Sequence, residues 1–209
     1  MTEQVKTGTT TIGIVCSDGI VIAADKRATA GNFIARSDIE KVIPINDTMV
    51  LTIAGVVSDA QKFIKYIKAE TRLNELQKSR KNTPKEVANL IGNLTYGYLR
   101  YQGAITHFLF AAKGLNGDYE LYDITPDGVV WKIDTYVSSG SGSIFALSVL
   151  DDQYKKGLSI QDGLKLVKQA INAALRRDSA SGNGADIYTI TEQGVKHEQT
   201  VTVSTELPQ

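Results

Sequence analysis

The chain has 209 residues, one cysteine, and 23 basic residues against 23 acidic ones. That length suits one domain with a substantial buried core. The balanced charge gives no case for nucleic-acid or anionic-membrane binding, and a single cysteine excludes an internal disulfide or a paired-cysteine zinc site. No apolar run approaches the ~18–20 residues of a membrane span, and the first residues, MTEQVKTG, lack a signal peptide's apolar centre.

In chain order, Thr9–Val15 and Gly19–Ala24 read as β-branched strands joined at Ser17-Asp18-Gly19. Cys16, in this apolar pattern, is expected to be a small buried side chain, which fits a reducing cytoplasm. Lys41–Ile45 and Met49–Ala54 repeat the pattern around Asn46-Asp47. A long helix is expected from Asp59 to Ser79. Its capping box would be Ser58 with Gln61, and its apolar stripe Phe63, Ile64, Ile67, Leu73 and Leu76. In Thr83-Pro84-Lys85-Glu86, a capping threonine, a first-turn proline and a glutamate at the third position open a second helix, to about Arg100.

Strands return at Ala104–Ala112, Tyr119–Ile124 and Val129–Ile133. The glycine-serine segment Ser138–Ser143 leads into a helix to Tyr154. Ser159 and Asp162 open another, ending near Arg177, and Ala185–Thr191 and Val195–Val203 are the last strands. The order is strands, two helices, strands, two helices, strands. Two sheets packed together, each covered by a helix pair, would bury every apolar face. The expectation is α+β, a four-layer αββα sandwich, with a mixed three-layer fold as the alternative.

The run Gly8-Thr9-Thr10-Thr11-Ile12-Gly13 carries the chemistry. Cleavage after Gly8 would leave a threonine with a free α-amine, which titrates near ~7.7–8.0 and can take a proton at neutral pH. Such a residue holds both nucleophile and base. It needs a cation near its hydroxyl, hydrogen bonds to its amine and donors for an oxyanion. Candidates lie at element ends: Asp25-Lys26-Arg27, Lys41, Ala54-Gly55, Ser139–Gly142 and Asp178–Gly184. Each has an ordinary alternative as a solvated lysine, a strand-ending aspartate or a turn glycine. Gly140-Ser141-Gly142 lacks a P-loop lysine and dinucleotide spacing, no Gly-x-Ser-x-Gly elbow occurs, and His107 and His197 have no metal-ligand spacing.

Four ordered motifs, GTTTIGIV (8–15), AADKRAT (23–29), TIAGVVSDAQ (52–61) and RRDSASG (176–182), supported by SGSGSIFALSVLD (139–151), resemble those of proteasome β subunits, most closely the archaeal type with a short propeptide. The resemblance spans essentially the whole chain and implies an N-terminal nucleophile hydrolase with the αββα fold. It implies that residues 1–8 form a propeptide, with cleavage between Gly8 and Thr9. Thr9 would be the nucleophile, its amine the base, Lys41 the cation at its hydroxyl and Asp25 the partner of Lys41. Ser141, Asp178 and Ser181 would orient the threonine and its amine.

By the same resemblance, the Gly55 amide would serve the oxyanion, and Thr29, Gly55 and Val57 would hold substrate as an added strand. Ala28, Ile43, Ile53 and Val57 would line an apolar first pocket, favouring cleavage after hydrophobic residues. No metal or organic cofactor is required. Expected partners are other β subunits and α subunits in stacked heptameric rings (α7β7β7α7), a regulatory ATPase acting through the α ring, and unfolded polypeptide substrates, in the cytoplasm, with no nucleic acid or membrane. Where the family often has Ser-Gly-Gly, this chain reads Ser181-Gly182-Asn183; asparagine tolerates positive φ, so the loop is expected to persist. The alternatives are a non-catalytic ring subunit that is never processed and a small-molecule amidase. The complete polar set argues against the first and the four-motif match against the second.

Overall fold

The computed structural model describes residues 8–55, 57–102 and 105–201, with side chains at all of these except 57–61, 98, 101 and 102. The leader residues 1–7 and the expected strand limits Ala104 and Val203 lie outside this set.

The elements run β1 (Thr11–Cys16), β2 (Gly19–Asp25), β3 (Ala28–Ala30), β4 (Phe33–Arg36), β5 (Val42–Asn46), β6 (Met49–Gly55), α1 (Val57–Lys78), α2 (Pro84–Gln102), β7 (Thr106–Lys113), β8 (Tyr119–Ile124), β9 (Val130–Ile133), β10 (Tyr136–Ser139), α3 (Ser143–Gln153), α4 (Ile160–Arg177), β11 (Ala185–Thr191) and β12 (Gly194–Val201). They form two antiparallel five-stranded sheets, β10-β1-β2-β11-β12 and β5-β6-β7-β8-β9, with a small β3–β4 hairpin.

Strand alternation assigns the buried apolar side chains of β2 and β7 to layers. On β2, Ile20, Ile22 and Ala24 face the opposite sheet, where they meet Val50, Leu109 and Leu121. Val21 and Ala23 point the other way, toward Ala146 and Leu150 of α3 and Val167 and Ile171 of α4. On β7, Phe108 and Phe110 lie under Phe63 and Ile67 of α1 and Ile91 of α2. Three apolar interfaces separate four layers, so the chain is an αββα sandwich.

Helix starts follow local chemistry. At α2, Thr83 Oγ1 accepts from the Glu86 amide (3.3 Å) and Glu86 Oε2 accepts from the Thr83 amide (2.9 Å), the expected capping box. Ser159 Oγ caps α4 by accepting from the Asp162 amide at 3.2 Å. The expected cap position, Ser58, lies inside α1, which already includes Val57. Leu73 and Leu76 also depart from the expected stripe, being 46% and 60% exposed. A helix of 22 residues is ~33 Å long, more than the ~20–25 Å that the sheet beneath it spans.

Two further elements were not expected. Strand β10 falls within and just before the glycine-serine segment and pairs with the edge of β1, Thr11 opposite Ser139. Its serines read as loop, yet Ser139 Oγ meets Thr11 Oγ1 (2.6 Å) and Ser138 Oγ donates to the Thr11 carbonyl (2.7 Å). The β3–β4 hairpin carries an exposed Phe33, so no buried face marked it. Cys16 is buried, as expected, and burial pushes its thiol up to about 12.

Candidate active site

The polar residues gather at one end of the sandwich. Register puts Thr11 opposite both Ala24 and Ser139, and Ala185 opposite Asp25. The head of β1 therefore lies beside the ends of β2 and β10 and the start of β11. Lys41, immediately before β5, reaches in from the second sheet.

Lys41 Nζ lies 3.0 Å from Thr9 Oγ1 and 2.8 Å from Asp25 Oδ1. All three residues are buried. Burial holds the Lys41 ammonium below the usual lysine range, opposed by the Asp25 carboxylate. Asp25 is satisfied on both oxygens: Oδ1 also accepts from the Thr10 amide, and Oδ2 from the amides of Arg27 and Gly182, each at 3.0 Å. An ionised carboxylate is the one common side chain that accepts at all these positions.

On the other side of Thr9, its amide nitrogen donates to Ser141 Oγ at 3.3 Å, and Ser141 Oγ donates to Asp178 Oδ2 at 2.6 Å. Ser181 Oγ donates to the same Asp178 oxygen at 2.6 Å and lies 2.7 Å from Thr10 Oγ1. With the Ser181 proton given to Asp178, Thr10 is the donor to Ser181. Asp178 thus collects two hydroxyls, one leading to the Thr9 nitrogen and the other to Thr10. The resemblance grouped Ser141, Asp178 and Ser181 around the threonine and its amine. In the structure Ser141 alone touches the Thr9 nitrogen, while Ser181 acts one residue further along.

Gly8 precedes this centre in an ordered position. Its N–H donates to Thr29 Oγ1 at 3.2 Å, and its carbonyl accepts from Thr9 Oγ1 at 2.6 Å. Thr29, expected to contact a substrate strand, thus already holds the residue before Thr9. Gly55 ends β6 at φ +139, and an added Cβ would lie 2.3 Å from the Ile105 carbonyl oxygen, so only glycine fits. Of the expected pocket residues, Ile53 is buried in the cluster beneath α1 and α2 with Ile43 packed beside it, and Ala28 is half-buried. Val57 is the first described residue of α1, and its side chain lies outside the description.

Sequence reasoning assigned no role to Thr10, or to the pair Arg27 and Asn183. Arg27 donates from Nε to Asn183 Oδ1 (2.8 Å) and from Nη1 to the Ser179 carbonyl (3.0 Å), clasping the loop that carries Ser181. Asn183 adopts φ +63, as its tolerance of that region allowed. The three consecutive threonines entering β1 turn their hydroxyls to three different partners, Lys41, Ser181 and Ser139.

A four-layer sandwich with a polar centre at the head of its first strand is the N-terminal nucleophile hydrolase fold. Residues 5–190 match the family model described as Proteasome subunit, and the chain belongs to the proteasome subunit family. It is 42% identical to a proteasome subunit beta of Ferroglobus placidus, over 91% of this chain and 90% of that one. With a proteasome subunit beta of Archaeoglobus fulgidus the identity is 40%, over 91% and 88%. A proteasome subunit beta 2 of Pyrococcus abyssi is 38% identical, over 94% and 92%. The resemblance to archaeal β subunits therefore extends over most of the chain, and membership implies assembly with other subunits into a proteasome core. Among the described residues no helix is long and apolar enough to cross a membrane.

Proposed function

We propose that this chain is a catalytic β-type subunit, a threonine endopeptidase that activates itself by releasing residues 1–8. The observation that carries this reading is Lys41 Nζ at 3.0 Å from Thr9 Oγ1, with Asp25 fixed behind it.

In the intact chain the Thr9 nitrogen is an amide and cannot serve as a base. Lys41 is the titratable group in contact with the hydroxyl, and its lowered pKa makes a neutral amine more accessible. Oγ1 attacks the Gly8 carbonyl carbon, and its proton passes to Lys41. As the C–N bond breaks, the proton is delivered to the departing Thr9 nitrogen. Water then hydrolyses the resulting ester, freeing residues 1–8 with a carboxylate on Gly8. The mature residue carries an α-amine beside Ser141, and this amine takes over as base.

In peptide hydrolysis Thr9 Oγ1 forms an acyl-enzyme, the Gly55 amide serves the oxyanion, and water regenerates the hydroxyl. Departure of Gly8 frees Thr29 to hold a substrate strand with Gly55 and Val57. Ala28, Ile43, Ile53 and Val57 would line the first pocket, and their apolar character would favour cleavage after hydrophobic residues. The subunit would work in the cytoplasm within stacked heptameric β and α rings, on unfolded polypeptides delivered by a regulatory ATPase on the α ring.

The test is intact-mass measurement and peptide hydrolysis after assembly with α subunits. The wild-type chain should lose residues 1–8. Thr9→Ala should keep them, and its hydrolysis should fall ~10⁴-fold or more, with the fold retained. A Thr9→Ala chain that still released its leader, or an epoxyketone that labelled another side chain, would overturn the assignment.

A further inference from the structure

We infer that the methyl group of Ala180 restricts self-cleavage to glycine at position 8. This rests on the reading above, that the bond after Gly8 is the one cut.

Gly8 is buried and tethered at both ends, by its N–H to Thr29 Oγ1 and by its carbonyl to Thr9 Oγ1. Its Cα therefore has a fixed direction. A Cβ placed on it would lie 1.8 Å from the Ala180 Cβ, 2.9 Å from Ser141 Oγ and 3.0 Å from the Ala180 Cα. Carbon atoms in contact need ~3.5–4.0 Å, so the first methyl group is already impossible. Of these three contacts, the Ala180 methyl is by far the most severe.

Ala180 cannot easily retreat. Its amide donates to Asp178 Oδ1 at 3.3 Å, and the Ser181 amide to the Asp178 carbonyl at 3.3 Å. Arg27 holds the Ser179 carbonyl on one side and Asn183 on the other, and the Gly182 amide is held by Asp25. Moving Ala180 would loosen the residues that position Thr9 and Thr10. The wall against a side chain at position 8 is therefore part of a braced loop.

The atoms that meet such a side chain belong to Ala180 and Ser141, not to the apolar pocket assigned to substrates. Self-cleavage and substrate cleavage are thus selected by different surfaces. The first rejects any side chain, and the second accepts an apolar one.

The experiment follows release of residues 1–8 by intact mass after assembly with α subunits, in a double-mutant cycle. Gly8→Ala should slow release at least ~100-fold in the wild-type background. In an Ala180→Gly background the same substitution should cost at least tenfold less, with some penalty kept because the Cα remains close. A penalty of equal size in both backgrounds overturns the proposal. A position-8 series reads the wall without changing residue 180. Alanine, serine and valine should all be blocked, and release of the alanine variant at the wild-type rate, with only valine blocked, also overturns it. A wild-type chain that never lost residues 1–8 would overturn the nucleophile assignment as well; normal wild-type release with an unimpaired Gly8→Ala chain overturns this proposal alone.

Discussion

Asp25 and Glu86 are both carboxylates that each hold at least one cation and one backbone amide, with ion pairs of 2.8 and 2.7 Å. Their surroundings differ. Asp25 is wholly buried and binds four segments: Thr10, Arg27, Lys41 and Gly182. Glu86 sits on the surface at the start of α2, with Arg80, Lys78 and the Thr83 amide. Exposed pairs contribute at most ~1 kcal/mol, whereas a buried charge that loses its partner costs ~3–5 kcal/mol. Similar geometry therefore serves a helix cap in one place and a tertiary junction in the other.

The sharpest way to break this comparison is Asp25→Asn. A carboxamide NH₂ would oppose Lys41 or a backbone amide, so urea unfolding should show a loss of ~3–5 kcal/mol and leader release should stop. Replacing Asp25 and Lys41 together by Leu and Met should not restore stability, since the amides of Thr10, Arg27 and Gly182 would remain unpaired. A double variant as stable as wild type would show that the junction is only an ion pair.

A second measurement is the pH dependence of leader release. The Lys41 pKa is lowered, so its neutral fraction rises as pH climbs toward that pKa. Release should quicken by up to ~tenfold per pH unit below it and level off above it, at a pH under the ordinary ~10.4 of lysine. A rate that does not vary with pH would remove Lys41 as the base.

Asn183→Gly keeps the permitted backbone and deletes only the contact to Arg27. It should cost ~1–2 kcal/mol and lower kcat with KM little changed, and Asn183→Asp should recover most of the loss. An effect confined to KM would place Arg27 and Asn183 in substrate binding instead. Smallest of all, Glu86→Gln should cost ~1 kcal/mol or less and leave hydrolysis unchanged. The partners of Glu86 hold its carboxyl below the usual range. Its contribution is therefore present above pH ~4.5 and fades as pH falls below that.

Much of this architecture could be read directly from side-chain order. The alternation along β2 and β7, the Thr83–Glu86 box and the Ser159 cap each report a local rule that tertiary packing respects. What was hidden depends on neighbours distant in sequence. Nothing local marks Ser138 and Ser139 as an edge strand until β1 supplies partners, and Leu73 and Leu76 look like core until the helix outruns its sheet. Grouping Thr9, Asp25 and Lys41 required the resemblance, because a lone lysine before a strand is ordinarily solvated. Thr10 escaped because three adjacent threonines are chemically alike, and only their partners in the folded chain separate their roles. The partnership of Arg27 with Asn183 spans 156 positions and left no periodic trace.

The Asp25 junction also ties the proposed self-cleavage to folding. Its carboxylate belongs to the first sheet, the lysine it holds arrives from the second, and one of its amide donors comes from the loop after α4. A nascent chain with only one sheet assembled has a threonine but no cation against its hydroxyl. On the proposed function, severing the leader would act as a checkpoint on maturation, with the scissors closing only once both sheets and the loop after α4 are in place.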